Sequence, residues 1–128
     1  MTVARTDIEK YLTEVKDAVE KGQYIIHRNA NRPDNIKLFM DYIIDESDAA
    51  DILLSLDVED FSEIKQNEHP GMEHEKLYIF GKDVDLLERF GDRKKRVALY
   101  IKFNKLEDNY VIVISFHEQK RPLSYYFR

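Results

Sequence analysis

Two neighbouring stretches, RVALYIKFNK (96–105) and YVIVISFH (110–117), decide the fold of this chain. Both alternate with the period of two that is typical of β-strands, and Asp108-Asn109 between them is a turn signal. Together they predict an antiparallel hairpin that pairs residues 97–104 with residues 110–117. Because the second stretch is apolar on both faces, we expect it to lie centrally in a sheet that helices cover on one side.

The alternation also predicts which side chains share a face of the sheet. In the first strand, Tyr100 and Lys102 stand on the polar face, opposite an apolar face. The second strand predicts one face of Val111, Val113, Ser115 and His117, opposite Tyr110, Ile112, Ile114 and Phe116. In an earlier stretch, KLYIFGK (76–82), Tyr78, Phe80 and Lys82 share a face.

The rest of the chain predicts helices and short connections. Residues 7–21 carry apolar residues three and four apart, which indicates an amphipathic helix. QYIIHR (23–28) predicts a short strand. Short helices are expected over 35–44, after an N-cap at Ser47, and from Asp57 onward through Gln66. We expect a polar loop at 67–75, a connection of undefined form at 83–96, and a short strand or an ordered tail at 122–128.

The expected fold class is therefore α+β, an antiparallel β-sheet in the C-terminal half flanked by N-terminal helices, in a single domain of residues 1–128. The chain has no cysteine, so neither a disulfide nor a thiolate metal site is expected. No apolar run approaches the roughly 20 residues that span a bilayer, and the first residues lack a signal-peptide pattern. We expect a cytoplasmic protein without a membrane partner. The loop histidines His69 and His74 lack helical spacing, so no metal site is predicted.

Charge is distributed unevenly along the chain. The net charge is −5, and residues 41–63 hold nine acids and no base. By contrast, residues 89–105 hold seven bases, and Lys120, Arg121 and Arg128 follow. This pattern predicts either one basic face suited to nucleic acid or two ordinary solvated surfaces.

The polar residues of the sheet suit metal-free RNA cleavage. That reaction needs a base for the 2′-hydroxyl, an acid for the departing 5′ oxygen and cations for the phosphorane charge. His117 can carry a proton near neutral pH, and Tyr100 and Lys102 can supply the other groups. Tyrosine and lysine are also common on exposed strand faces, and a histidine at a strand end is often only a surface residue.

Four segments resemble the MqsR-like toxins of toxin–antitoxin systems, above all the longer versions of Gram-positive bacteria: DILLSLDVEDFSE (51–63), LYIFGKDVD (77–85), LYIKFNK (99–105) and VIVISFHEQKRPLSYYFR (111–128). The resemblance implies a RelE-like fold and an endoribonuclease that cleaves single-stranded mRNA without a metal or other cofactor and is neutralised by a cognate antitoxin protein. It implies catalytic roles for Tyr100, Lys102 and His117. Substrate binding is assigned to Lys82, Arg121, Arg128 and Tyr78. A further family lysine falls near Glu63 or Lys65, and the resemblance leaves open which of the two positions it occupies.

Two other functions are compatible with the sequence. The chain could be a non-catalytic protein-binding or inhibitor module that uses the acidic surface of residues 41–63. A DNA-binding autoregulator is the third alternative, although the helices expected over 35–65 carry no basic recognition residues.

Overall fold

A computed structural model describes residues 2–128 and has an α+β fold, as expected. A curled, mostly antiparallel sheet packs against helices. The elements in chain order are α1 (Arg5–Glu20), β1 (Tyr24–Ile26), α2 (Pro33–Asp41), β2 (Tyr42–Ile43), α3 (Glu46–Leu54), a 3₁₀ helix (Val58–Asp60), β3 (Phe61–Gln66), β4 (Lys76–Glu88), β5 (Lys94–Lys105) and β6 (Val111–Glu118). Among these described residues, no helix is both long and apolar enough to cross a bilayer.

The six strands follow the order β1-β6-β5-β4-β2, and β3 pairs with the first half of β4. The predicted hairpin is confirmed as β5–β6, which pairs Lys105 with Val111 and Leu99 with Glu118. Between them Asn109 adopts a positive φ of 67°, a conformation that asparagine tolerates well in tight turns. Strand β1 runs parallel to β6, whereas the other pairs are antiparallel.

The hydrophobic core lies between one face of the sheet and α1 with α3. The apolar stripe of α1 supplies the fully buried Ile8 and Val15, as its spacing predicts. From the sheet, the apolar face predicted for β5 is fully buried, and neighbouring strands add phenylalanines. The largest fully buried side chains are Phe61, Phe80, Phe103 and Phe116. The face of Tyr100 and Lys102 is therefore the one turned away from this core.

A β-bulge in β6 corrects the predicted faces of that strand. Lys102 pairs with Ser115 but Phe103 pairs with Val113, so Ile114 is an extra residue on the β6 side. The alternation changes phase there. Val111, Val113 and Phe116 all join the core, whereas Ser115 and His117 remain with Lys102 and Tyr100 on the opposite face. The prediction that Val111 and Val113 share a face with His117 was wrong because a strict period of two cannot show an inserted residue.

The acidic middle of the chain also differs from the prediction. Residues 61–66, expected to be helical, form β3, which pairs with β4 from Phe61 opposite Phe80 to Gln66 opposite Lys76. Within the segment predicted as helix, only Val58–Asp60 is helical, as the 3₁₀ helix. Pairing with β4 overrides the local preference of the short segment that follows. The N-cap of α3 is Asp45, not Ser47.

The structure defines the two segments whose form the sequence left open, the connection 83–96 and the C-terminal tail. The connection 83–96 is mostly strand, because β4 continues to Glu88 and β5 begins at Lys94. The C-terminal tail (residues 119–128) adds no strand and crosses the sheet at Gly81. A methyl group at Gly81 would overlap the hydroxyl of Tyr125 and crowd Leu123, so a larger residue there would force these tail side chains to shift.

One edge of β6 pairs with β5, and helix α2 covers the part of the other edge that β1 does not reach. Strand β1 pairs only with Val111 to Val113. Beyond that point the buried side chain of Asn35 takes the place of a strand. Its amide nitrogen donates to the carbonyl oxygen of Ile114 at 2.9 Å, and its oxygen accepts from the backbone N–H of Phe116 at 2.9 Å. The same nitrogen donates to the carbonyl oxygen of His27 at 2.8 Å, which joins the end of β1 to this edge.

Candidate active site

The three residues predicted to be catalytic lie together on the face of the sheet opposite the core. The register pairs Tyr100 of β5 with His117 of β6 and Lys102 with Ser115. These four side chains line an open cavity of about 350 Å³, whose other wall is the first part of the C-terminal tail. Arg121, predicted to bind substrate, contributes to that wall.

Tyr100 and His117 form a stacked pair. Their ring centroids are 5.2 Å apart, and the ring planes differ by 10°. Nδ1 of His117 lies 2.8 Å from the carbonyl oxygen of Glu118. Since a carbonyl oxygen can only accept, this contact requires the proton on Nδ1, so Nε2 of the neutral ring is a free acceptor. The backbone thus selects the tautomer that can remove a proton.

The pKa values of Lys102 and Tyr100 are shifted in opposite directions. Burial is the main cause that lowers the pKa of Lys102, and the nearby cations Arg32 and Lys65 lower it further. Burial raises the pKa of Tyr100, with Lys65 acting to lower it and Glu63 to raise it. Tyr100 therefore keeps its proton at neutral pH. Within residues 2–128, no carboxylate lies within ion-pair distance of Lys102.

The structure adds two cations to the surroundings of the site. Lys65 influences both Tyr100 and Lys102, so of the two positions that the resemblance left open, Lys65 supplies a positive charge here. Its position follows from β3, a strand that was predicted as helix. Arg32 lies in the loop before α2, where the sequence showed only a turn signal and nothing that pointed to the site.

Lys102 is expected to reduce the stability of the fold. The Lys102→Met protein should have an unfolding free energy equal to that of the parent or up to about 1 kcal/mol higher, because no cation has to be desolvated. Because the pKa of Lys102 is lowered in the folded state, its charge reduces the unfolding free energy at pH values below that pKa. This destabilisation is lost as the pH rises through the pKa. The advantage of the variant should therefore be largest near neutral pH and shrink in alkaline solution.

Urea unfolding of both proteins at several pH values measures this difference. Lys94→Met, at an exposed position of the same strand, is the matched control and should show no such pH dependence. A Lys102→Met protein that is less stable than its parent at neutral pH would contradict the assignment.

The other predicted substrate-binding residues are separated from this cluster. Tyr78 faces the helices, where its ring stacks on Tyr11 with centroids 3.7 Å apart. Tyr78 pairs with Phe103 on the core face and therefore lies on the opposite face of the sheet from Tyr100. Lys82 also pairs on that face, opposite Leu99.

Lys82 and Arg128 instead meet at a buried carboxylate. Nζ of Lys82 lies 3.3 Å from Oδ2 of Asp60, and a guanidinium nitrogen of Arg128 lies 3.2 Å from Oδ1. Asp60 also accepts from the backbone N–H of Asp57 at 2.9 Å. These two cations therefore hold the 3₁₀ helix and the C-terminal tail against the sheet, at a distinct place from Tyr100 and His117.

Most of the acidic residues in 41–63 have partners within the fold. Two capping boxes use four of them, Asp45 with Asp48 and Asp57 with Asp60. Three more acids form ion pairs: Asp41 with Lys37, Glu46 with Arg28 and Glu63 with Lys65. N-terminal capping of helices and local ion pairing thus account for most of the acidic run, and its use as a protein-binding surface stays a prediction.

The polar loop between β3 and β4 is held by its own hydrogen bonds. His69 lies 3.1 Å from the side-chain oxygen of Asn67, and Glu75 accepts from the amides of Asn67 and Asn104 at 3.1 Å and 3.0 Å. In the described part of the chain, no three histidine or carboxylate side chains are grouped closely enough to hold a metal ion.

Comparisons with protein-family models, with curated proteins and with solved structures found no match to this chain.

Proposed function

We propose that this chain is a metal-independent endoribonuclease of the MqsR-like kind, on a RelE-like scaffold, that cleaves single-stranded mRNA and is neutralised by a cognate antitoxin. One observation carries the proposal. A histidine with a free Nε2 stacks on a tyrosine that keeps its proton, beside a half-buried lysine that has no ion-pair partner in the described part of the chain. A base, an acid and a cation in one open cavity are the groups that cleavage by the 2′-hydroxyl requires.

The proposed reaction is an in-line transfer at one phosphate. Nε2 of His117 removes the proton of the 2′-hydroxyl as the 2′ oxygen forms its bond to phosphorus. The bond between phosphorus and the 5′ oxygen breaks, and that oxygen takes the phenolic proton of Tyr100. The products are a 2′,3′-cyclic phosphate and a 5′-hydroxyl. Solvent then returns the proton to Tyr100 and removes the one on His117.

The cations of the site supply electrostatic stabilisation. Lys102 is half-buried, so its charge is less screened than that of a surface lysine and acts more strongly on a developing phosphorane. Among the residues that the structure describes, it also has no carboxylate to release before it can bind phosphate. Arg121, exposed on the tail side of the cavity, reaches the same space from the opposite wall.

The products of the reaction test this function. Purified protein is incubated with a single-stranded RNA of mixed sequence in the presence of EDTA, and the fragment ends are analysed. We expect cleavage that EDTA does not inhibit, with 2′,3′-cyclic phosphate and 5′-hydroxyl ends. Replacing the 2′-hydroxyls of the RNA with 2′-O-methyl groups should abolish cleavage. Fragments with 5′-phosphate ends, or an RNA left intact by soluble folded protein, would contradict the proposal.

A further inference from the structure

A second cavity opens beside the candidate active site. It has a volume of about 510 Å³, within the range of about 300–1,000 Å³ typical of ligand sites. The C-terminal tail separates it from the first cavity, and the two share the tail residues 120–123 as a common wall. We refer to it as the tail cavity.

The charge of the tail cavity is opposite to that of the whole chain. The chain carries a net charge of −5, yet the charged residues lining this cavity are five cations and two carboxylates. The cations are Lys82, Arg96, Lys120, Arg121 and Arg128. The carboxylates are Asp60 and Asp83.

Four of the five cations have an ion-pair partner in the described part of the chain, but these partners leave an excess of positive charge. Lys120 pairs with Asp34 at 2.8 Å on exposed surface, where a competing anion can replace the carboxylate. Asp60 is shared by Lys82 and Arg128, so one buried negative charge faces two positive ones. Arg96 is paired with Asp85 at 3.2 Å, on exposed surface where a competing anion can replace the carboxylate. Arg121 has no ion-pair partner among residues 2–128 and lines both cavities. The cavity is therefore suited to a phosphate.

An aromatic ring stands next to these cations. Tyr125 lines the tail cavity, and the guanidinium of Arg128 lies 3.9 Å from the centroid of its ring. Aromatic rings and arginine planes are the groups on which bases of single-stranded nucleic acids stack. Phosphate-binding cations and a stacking group thus occur together in this second cavity.

We propose that the tail cavity is a second subsite, which binds the nucleotide adjacent to the cleaved phosphate in a single-stranded RNA. This inference rests on the proposed function, since the first cavity then holds the cleaved phosphate. Arg121 lies between the two subsites and contacts the segment that joins them. The chain thus recognises at least two consecutive phosphates, although its net charge is −5.

Equilibrium binding of an RNA that cannot be cleaved tests the second subsite. The probe is a fluorescent 2′-O-methyl octanucleotide, titrated at several salt concentrations. Arg96→Gln removes a cation of the tail cavity, and Arg93→Gln removes an exposed arginine from the turn between β4 and β5 as the matched control. We expect Arg96→Gln to weaken binding several-fold and to reduce the slope of log affinity against log salt by about 0.7, the value for one phosphate of a single strand. The control should leave the slope unchanged.

The outcomes separate the two proposals. If the parent cleaves RNA but Arg96→Gln binds the probe with the same affinity and slope as Arg93→Gln, the second subsite is overturned and the catalytic proposal stands. If the slope falls as expected but the parent cleaves no RNA, the subsite is supported and the catalytic proposal fails.

Discussion

Replacing His117 by alanine or Tyr100 by phenylalanine is expected to lower the rate of RNA cleavage by about 10²–10⁴-fold in each case, the usual contribution of a positioned acid or base. Phenylalanine keeps the ring that stacks on His117 and removes only the phenolic proton donor. Because the two groups act in one proton-transfer sequence, the double variant should be hardly slower than the slower single variant. Cleavage rates on a defined single-stranded RNA measure all three effects.

Matched substitutions elsewhere distinguish catalysis from damage to the fold. Tyr110→Phe and His74→Ala make the same chemical changes outside the cavity and should retain the parent rate. Induced expression in cells gives a second measurement, in which the parent arrests growth and the double variant does not. Growth arrest of equal strength from parent and double variant, both soluble, would show that Tyr100 and His117 do not carry the activity.

Local pattern was sufficient to predict the centre of the candidate site. Tyr100 and Lys102 are two residues apart in a strand whose alternation is uninterrupted, so their shared face could be read from the sequence. His117 joined them for a reason that the sequence could not show. Counted from Val111, strict alternation would put it on the core face. The bulge at Ile114 changes the phase and returns it to the face of Tyr100.

The positions of the residues around this centre depend on contacts between distant parts of the chain. Lys65 reaches the site because β3 pairs with β4, a pairing that local preferences of an acidic segment do not reveal. Alternation correctly grouped Tyr78 with Lys82, but only the register between β4 and β5 fixes their common face as the core side. Arg121 and Arg128 lie on a tail without regular secondary structure. No periodicity could therefore predict that Arg121 lines the candidate active site whereas Arg128 binds Asp60.

The fold at the edge of β6 is expected to depend strongly on Asn35. Its side chain is 1% exposed and makes three hydrogen bonds with backbone groups of Ile114, Phe116 and His27. Asn35→Ala leaves those groups unpaired in a place where no strand can replace the amide. At about 1–3 kcal/mol for each unsatisfied buried group, with partial compensation by water, we expect a loss of about 3–5 kcal/mol in unfolding free energy.

Asn35→Asp tests which part of the amide matters. A carboxylate can still accept from the N–H of Phe116, but it cannot donate to the two carbonyl oxygens, and its charge would be buried against them. The aspartate variant should therefore be at least as unstable as the alanine variant at neutral pH. Asn31→Ala, at an exposed position of the preceding loop, is the control and should change stability by less than about 0.5 kcal/mol.

Thermal unfolding gives the measurement. For a domain of this size, the expected loss corresponds to a Tm lower by about 10–20 °C for both Asn35 variants. Because the bonds of Asn35 flank the bulge that directs His117 onto the face of Tyr100, cleavage by either variant should also fall at temperatures where it remains folded. An aspartate variant as stable as the parent would show that the two donated hydrogen bonds do not hold this edge, and the position of His117 would then have to depend on its pairing with β5 alone.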